Sequence, residues 1–114
     1  MAEDCIFCKI IRGEIPSDTV YRDDRAIAFR DISPRAPTHV LVIPLEHIAY
    51  LEAVSTDRET LLGHLLLVGR DVARSEGLME SGYRLAINQG PDSGQMVEHL
   101  HLHVLGGRAL GAEG

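Results

Sequence analysis

His99-Leu100-His101-Leu102-His103-Val104-Leu105 constrains this chain more than any other stretch. Histidine alternates there with aliphatic residues, and a period of two is the pattern of a half-buried β-strand. Leu100, Leu102 and Val104 are expected to face a core, with His99, His101 and His103 sharing the opposite face. Aligned imidazoles titrate near neutrality and repel when charged, so such a row contributes little to folding and points to chemistry. Alternate strand residues lie roughly 6.6 Å apart, which separates His99 and His103 by about 13 Å. All three could not comfortably wrap one metal ion. Neighbouring pairs could share a ligand, or the three could divide the work among structure, chemistry and the holding of an anion. The division is the preferred reading.

A chain of 114 residues suits one small domain, and 45% hydrophobic residues suffice for a core. No apolar run is long enough for a membrane span. The acidic start, Met1-Ala2-Glu3-Asp4, has no signal-peptide pattern, so the cytoplasm is the expected compartment. A net charge of −6 disfavours a nucleic-acid backbone as partner, although local donors could still hold a small anion.

The pattern predicts a short helix over 5–14 closed by Gly13, strands over 20–23 and 26–31, and a loop over 33–37. It predicts a strand over 39–43 stopping at Pro44, and a long helix over 56–77. Thr56 and Glu59 suggest a capping box for that helix, and Gly77 its end. A strand over 82–88, a Gly-containing loop over 89–95 and the histidine strand over 98–105 follow. His64 is expected to face out of the long helix without a role. Runs of strands with one principal helix indicate an α+β fold with an antiparallel sheet.

Cys5-Ile6-Phe7-Cys8 is a C-x-x-C pair. In a reducing compartment it reads as a metal half-site or as buried thiols rather than as a structural disulfide. A redox role fits less well, because the βαβ context of thioredoxin-like motifs is missing. Zinc prefers four ligands, often two sulfurs and two nitrogens, and His47 and His99 are available.

The histidine strand resembles the His-x-His-x-His-x-x signature of the histidine triad (HIT) superfamily. Ile10–Pro16, Ala28–Pro34, Ala36–His39, Leu62–Leu65 and Gly106–Arg108 are similar to its Hint branch, the nucleoside phosphoramidases. The likeness runs from about residue 5 to 108 and leaves 109–114 as a short tail of one HIT domain. It implies a five-stranded antiparallel sheet and a homodimer joined through the long helix and a strand edge. It also implies a site for a purine nucleoside monophosphate and its conjugates. His101 is then the nucleophile on the α-phosphorus, forming a nucleotidyl-histidine that water resolves. His103 would donate to phosphate oxygens, and His39 would support the catalytic strand. Asn88, Gly94 and Gln95 would meet the phosphate, and Asp31 would accept from the ribose hydroxyls. Ile6, Phe7, Ile10, Phe29, Ile32 and Leu41 would form the slot for the base. Cys5, Cys8, His47 and His99 would hold one structural zinc.

Two departures stand out. Met96 occupies a place where Hint enzymes often carry a serine near the leaving group, and a thioether donates no proton. The tail after Arg108 is short and lacks the aromatic end seen in some relatives. The competing readings are a nucleotide-binding adaptor with marginal turnover, a metal-dependent hydrolase using the histidines as catalytic ligands, and a dinucleoside polyphosphate hydrolase.

Overall fold

A computed structural model describes residues 5–112; the acidic start and the last two residues of the tail lie outside the described residues. The elements are α1 (Ile6–Ile11), β1 (Thr19–Arg22), β2 (Ala26–Arg30), β3 (Thr38–Pro44), α2 (Glu59–Ser75), β4 (Tyr83–Ile87) and β5 (Leu102–Gly106). The strands form one five-stranded sheet in the order β1-β2-β3-β5-β4. Every neighbouring pair is antiparallel. The α+β class expected from the pattern is therefore the class observed.

Alternation along the inner strands builds two cores. Ala26, Ala28, Val40, Val42, Leu102 and Val104 pack against Leu65, Val68, Val72 and Ala73 of α2. On the other face Ile27, Phe29, Leu41 and Ile43 pack around Phe7 of α1. Covered on both faces, β3 is buried from Thr38 to Pro44. β5 lies between β3 and β4, so the histidine segment feeds into an inner strand. The register pairs Leu41 with His103 and Val42 with Leu102, which puts His103 on the α1 face and Leu102 on the α2 face.

The histidine strand is shorter than its alternation predicts. Pairing begins at Leu102, not Glu98. Opposite the missing part, the Pro44 carbonyl is taken by the His99 ring at 2.9 Å, and the Leu100 N–H goes to the Ile48 carbonyl at 2.6 Å. Side-chain and loop bonds thus replace the ladder, while Leu100, Leu102 and Val104 remain buried as expected. The other strands differ from their predicted limits by about one residue at either end, the usual uncertainty of such boundaries.

α2 begins at Glu59 and follows a 3-10 turn over Thr56–Arg58, so the Thr56–Glu59 capping box does not form. Ser55 instead donates to the Asp57 carboxylate, and the tightened turn makes Glu59 the first helical residue. The helix ends at Ser75. Gly77, at φ +79°, lets its own N–H reach Arg74 O at 3.1 Å and that of Leu78 reach Ala73 O at 2.9 Å. These two bonds satisfy carbonyls that a helix end leaves open. Gly13 closes α1 in the same way, with N–H bonds from Gly13 to Ile10 and from Glu14 to Lys9. His64 is not idle: its Nε2–H donates to Asp23 at 2.6 Å while Nδ1 accepts from Arg25, tying α2 to the β1–β2 turn.

α2 approaches the sheet most closely at Gly69, where a Cβ would stand 2.9 Å from Leu102 Cδ2 and 3.3 Å from Leu85 Cδ2. Leu102 is fully buried and has nowhere to move. Gly69→Val is expected to lower stability by about 2 kcal/mol or more through overpacking. Gly63, with nothing near its Cβ position, should gain about 0.5–1 kcal/mol as Gly63→Ala from helix propensity. Urea denaturation of both variants checks the pair; equal effects would contradict this packing.

Candidate active site and metal cluster

Hydrogen bonds to the backbone set the proton on each histidine ring. His101 Nδ1 lies 2.7 Å from the His99 carbonyl, which can only accept, so Nδ1 carries the proton and Nε2 keeps its lone pair. His39 has the opposite arrangement. Its Nδ1 accepts the Arg35 N–H at 3.1 Å, which leaves the proton on Nε2. That proton is directed at His103 Nδ1, 2.9 Å away. His103 in turn holds its proton on Nε2, a buried atom without a partner among the described residues. Burial pushes His103 down to about 4, helped by repulsion from His101 and His39. Burial lowers His39 as well, against the opposing pull of the Asp31 carboxylate. Burial therefore favours the neutral form of His39 and of His103.

These rings sit at a cavity of about 500 Å³. Ile6, Phe7 and Ile10 of α1, Phe29 of β2 and Leu41 of β3 line its apolar side. Phe7, Phe29 and Leu41 are buried, whereas Ile6 is partly open and Ile32 is 95% exposed at the rim. Asp31 also lines the cavity; one of its oxygens accepts the Ser33 N–H at 2.8 Å and the other lies 3.4 Å from His39 Nε2. Asn88, Gly94 and Met96 complete the lining named from the sequence, Met96 being 84% exposed.

Gln95 is the exception. Its oxygen accepts the Gly90 N–H at 2.8 Å and its nitrogen reaches the Ala49 and Val97 carbonyls at 3.3 Å. The amide is occupied in holding its own loop and is not part of the lining. Ile15, Pro16, Ser17, Arg30, Ser33, Arg35 and Val97 also stand on the cavity wall, beyond those named from the sequence. An apolar Ile15-Pro16 directly after a helix-closing glycine was the one available signal that the chain folds back there.

Cys5, Cys8, His47 and His99 bring one ligand atom each within 4.8 Å of the others. Cys5 Sγ and Cys8 Sγ lie 3.4 and 3.6 Å from His99 Nδ1, and Cys8 Sγ lies 3.3 Å from His47 Nδ1. His99 gives its Nε2 proton to Pro44 O, so the nitrogen facing the sulfurs is the lone-pair atom. Burial pushes the His99 ring down to about 4, with the Pro44 bond opposing, and pushes the Cys8 thiol up to about 11. Two sulfurs and two imidazole nitrogens fit zinc. A second close group, Asp31, His39 and His103, does not fit a metal, because the Arg35 N–H obliges His39 to present a proton from Nε2. The structure thus separates the three aligned histidines into three environments: His99 among sulfurs, His101 with a free lone pair, His103 with a free N–H.

A sequence model of the HIT domain family matches residues 12–110, and the chain belongs to that family. It is 54% identical over 111 residues to the purine nucleoside phosphoramidase of Escherichia coli K12, covering 97% of this chain and 93% of that one. A HIT family hydrolase from Clostridium thermocellum superposes with a TM-score of 0.93 at 46% identity, covering 97% and 96% of the two chains. A zinc-bound histidine triad family protein from Mycobacterium smegmatis superposes at 0.83 with 33% identity, covering 95% of this chain and 78% of the other.

Two measurements follow from the protonation pattern. At pH 7.5, long-range 15N–1H correlation is expected to show His101 as the Nδ1–H tautomer and His103 as the Nε2–H tautomer; the reverse for either ring would contradict the network. Stability should also depend on His103. Above its ordinary value of 6.5 neither the folded nor the unfolded chain protonates it. Between 6.5 and about 4 only the unfolded chain takes up the proton, so stability falls as pH falls. The urea midpoint of His103→Asn is expected to drop less from pH 7 to pH 5 than that of the parent, and equal drops would count against a buried neutral ring.

Proposed function

We propose that this protein hydrolyses purine nucleoside 5′-phosphoramidates and related nucleotidyl conjugates at the α-phosphorus, with His101 as nucleophile. One observation carries the reading: a lone pair on His101 Nε2 and a free N–H on His103 Nε2 flank one apolar cavity. The name of the Escherichia coli relative supports the substrate class.

In the first step His101 Nε2 forms a bond to phosphorus as the bond to the leaving amine breaks. The departing nitrogen takes a proton from solvent water and leaves as the amine, and the Nδ1–H bond to the His99 carbonyl strengthens as the ring becomes cationic. His103 Nε2–H donates to a phosphate oxygen, with Asn88 and the backbone at Gly94 as further donors. Water then attacks phosphorus and gives up a proton to solvent, the phosphorus–His101 bond breaks with its electron pair returning to Nε2, and a nucleoside monophosphate leaves. The base lies between the α1 residues Ile6, Phe7 and Ile10 and the sheet residues Phe29 and Leu41, with Ile32 at the rim. Asp31 accepts from the ribose.

Cys5, Cys8, His47 and His99 are the residues that would hold zinc. When bound it supplies a closed, structural tie between α1 and the sheet rather than an open coordination position. A homodimer belongs to the same reading: β4 is an open edge strand, and α2 exposes Leu66 and Leu67. So does a reducing, cytoplasmic setting, which suits two free cysteines. Met96 favours a second reading, a nucleotide-binding adaptor, because no hydroxyl stands at that position to assist the leaving group.

Hydrolysis of adenosine 5′-phosphoramidate by the parent protein and by His101→Ala separates the two. Turnover is expected to fall about 10³-fold or more in the variant. A variant within tenfold of the parent would overturn the role of His101 as nucleophile, and a folded parent that binds AMP without turnover would establish the adaptor. Metal analysis of the purified protein should find stoichiometric zinc that Cys8→Ser loses. Two freely reactive thiols and no zinc would refute that assignment.

A further inference from the structure

Phe7 is the one aromatic ring, among the described residues, that touches both the metal cluster and His101. It meets His99 edge-on at 5.8 Å and 69°, and His101 at 5.3 Å and 85°. It also stands edge-on to Phe29 at 5.5 Å, and it is buried. Its neighbours in α1 divide the same way. Cys5, the N-cap, and Cys8 point to the cluster, while Ile6 and Ile10 line the cavity. A helix of six residues has no stability of its own, since nucleation alone costs more than so short a run returns. The position of α1 is therefore set by what it docks against, and two sites share that docking.

We propose that metal binding at Cys5, Cys8, His47 and His99 and nucleotide binding in the cavity are positively coupled, with Phe7 as the positioning residue that carries the coupling. The proposal rests on the reading that the cluster takes zinc and the cavity takes a nucleoside monophosphate. Either ligand requires α1 in place, so the first to bind meets the ordering cost and the second does not. Metal held by Cys5 and Cys8 keeps the Phe7 edge against His101 and the Ile6–Ile10 wall closed on the base. A base in the cavity keeps the two sulfurs at His99. Loss of zinc from the resting protein thereby weakens its hold on nucleotide, although no cluster atom touches the nucleotide.

Two equilibrium titrations on the full chain test this. Zinc affinity is measured by competition with a chelating dye, with and without saturating AMP. AMP affinity is measured by calorimetry on zinc-loaded and zinc-stripped protein. The expected result is that AMP tightens zinc binding about 5-fold or more, and that zinc tightens AMP binding by the same factor, as linkage requires. Phe7→Ala keeps all four ligands and should still bind zinc, but with affinities for the two ligands independent to within about twofold. Phe7→Leu, which refills the volume, should restore part of the coupling, and a loss that served structure alone would not return in this paired form. Zinc and AMP that both bind the parent with mutually independent affinities would overturn the proposal, whatever the variants do. A parent that binds no zinc, or binds zinc and no AMP, overturns it through the failed reading, and the separate titrations show which one failed.

Discussion

The bond from His101 Nδ1 to the carbonyl of His99 is the contact on which the proposed chemistry depends. A free imidazole exchanges its proton between two nitrogens, and only the nitrogen without it can attack phosphorus. A backbone acceptor two residues away removes that choice. Hydrogen bonds also orient the neighbours of His101. Pro44 O fixes His99 with its lone pair toward the sulfurs, and the Arg35 N–H fixes His39, which in turn fixes His103. Backbone groups do not titrate, so in the neutral rings of His99, His101 and His39 the tautomer is set by the fold.

This arrangement depends on where β5 leaves the sheet. Had pairing continued to Glu98, the Pro44 carbonyl would have bonded within the ladder and His99 would have had no anchor. The early end of the strand frees the carbonyls of Pro44 and His99 for imidazole. Leu100, Leu102 and Val104 stay buried through the transition, so the α2 face of the sheet gives the irregular segment its rigidity. A regular face thus supports an irregular one, and the polar network is confined to the side that α1 and the cavity share.

The sequence carried the fold well because the inner strands alternate strongly. Ala26-Ile27-Ala28-Phe29 and Val40-Leu41-Val42-Ile43 could bury two faces only in a sheet covered on both sides, and the covering helix is evident from its stripe. The site was legible where residue type and spacing act together, as in the histidine row and the cysteine pair. It was less so where a side chain's partner is distant in sequence. Gln95 has the chemistry of a phosphate donor, yet its amide is used by Gly90, Ala49 and Val97. His64 lies on a helix flank and finds Asp23, 41 positions away, across the sheet edge. Ile15, Pro16 and Ser17 reach the cavity only because α1 ends where it does, a boundary too fine for periodicity to resolve. The direction of proton donation at His39 was likewise invisible, since it hangs on one main-chain N–H.

The most direct test of this account is a single turnover of adenosine 5′-phosphoramidate, quenched rapidly in alkali, which preserves phosphorus–nitrogen bonds, and mapped by peptide mass spectrometry. A transient adenylyl adduct on His101 is expected, forming as substrate is consumed and decaying as AMP appears. Substrate consumed with no adduct at any time, or an adduct on another residue, would contradict it.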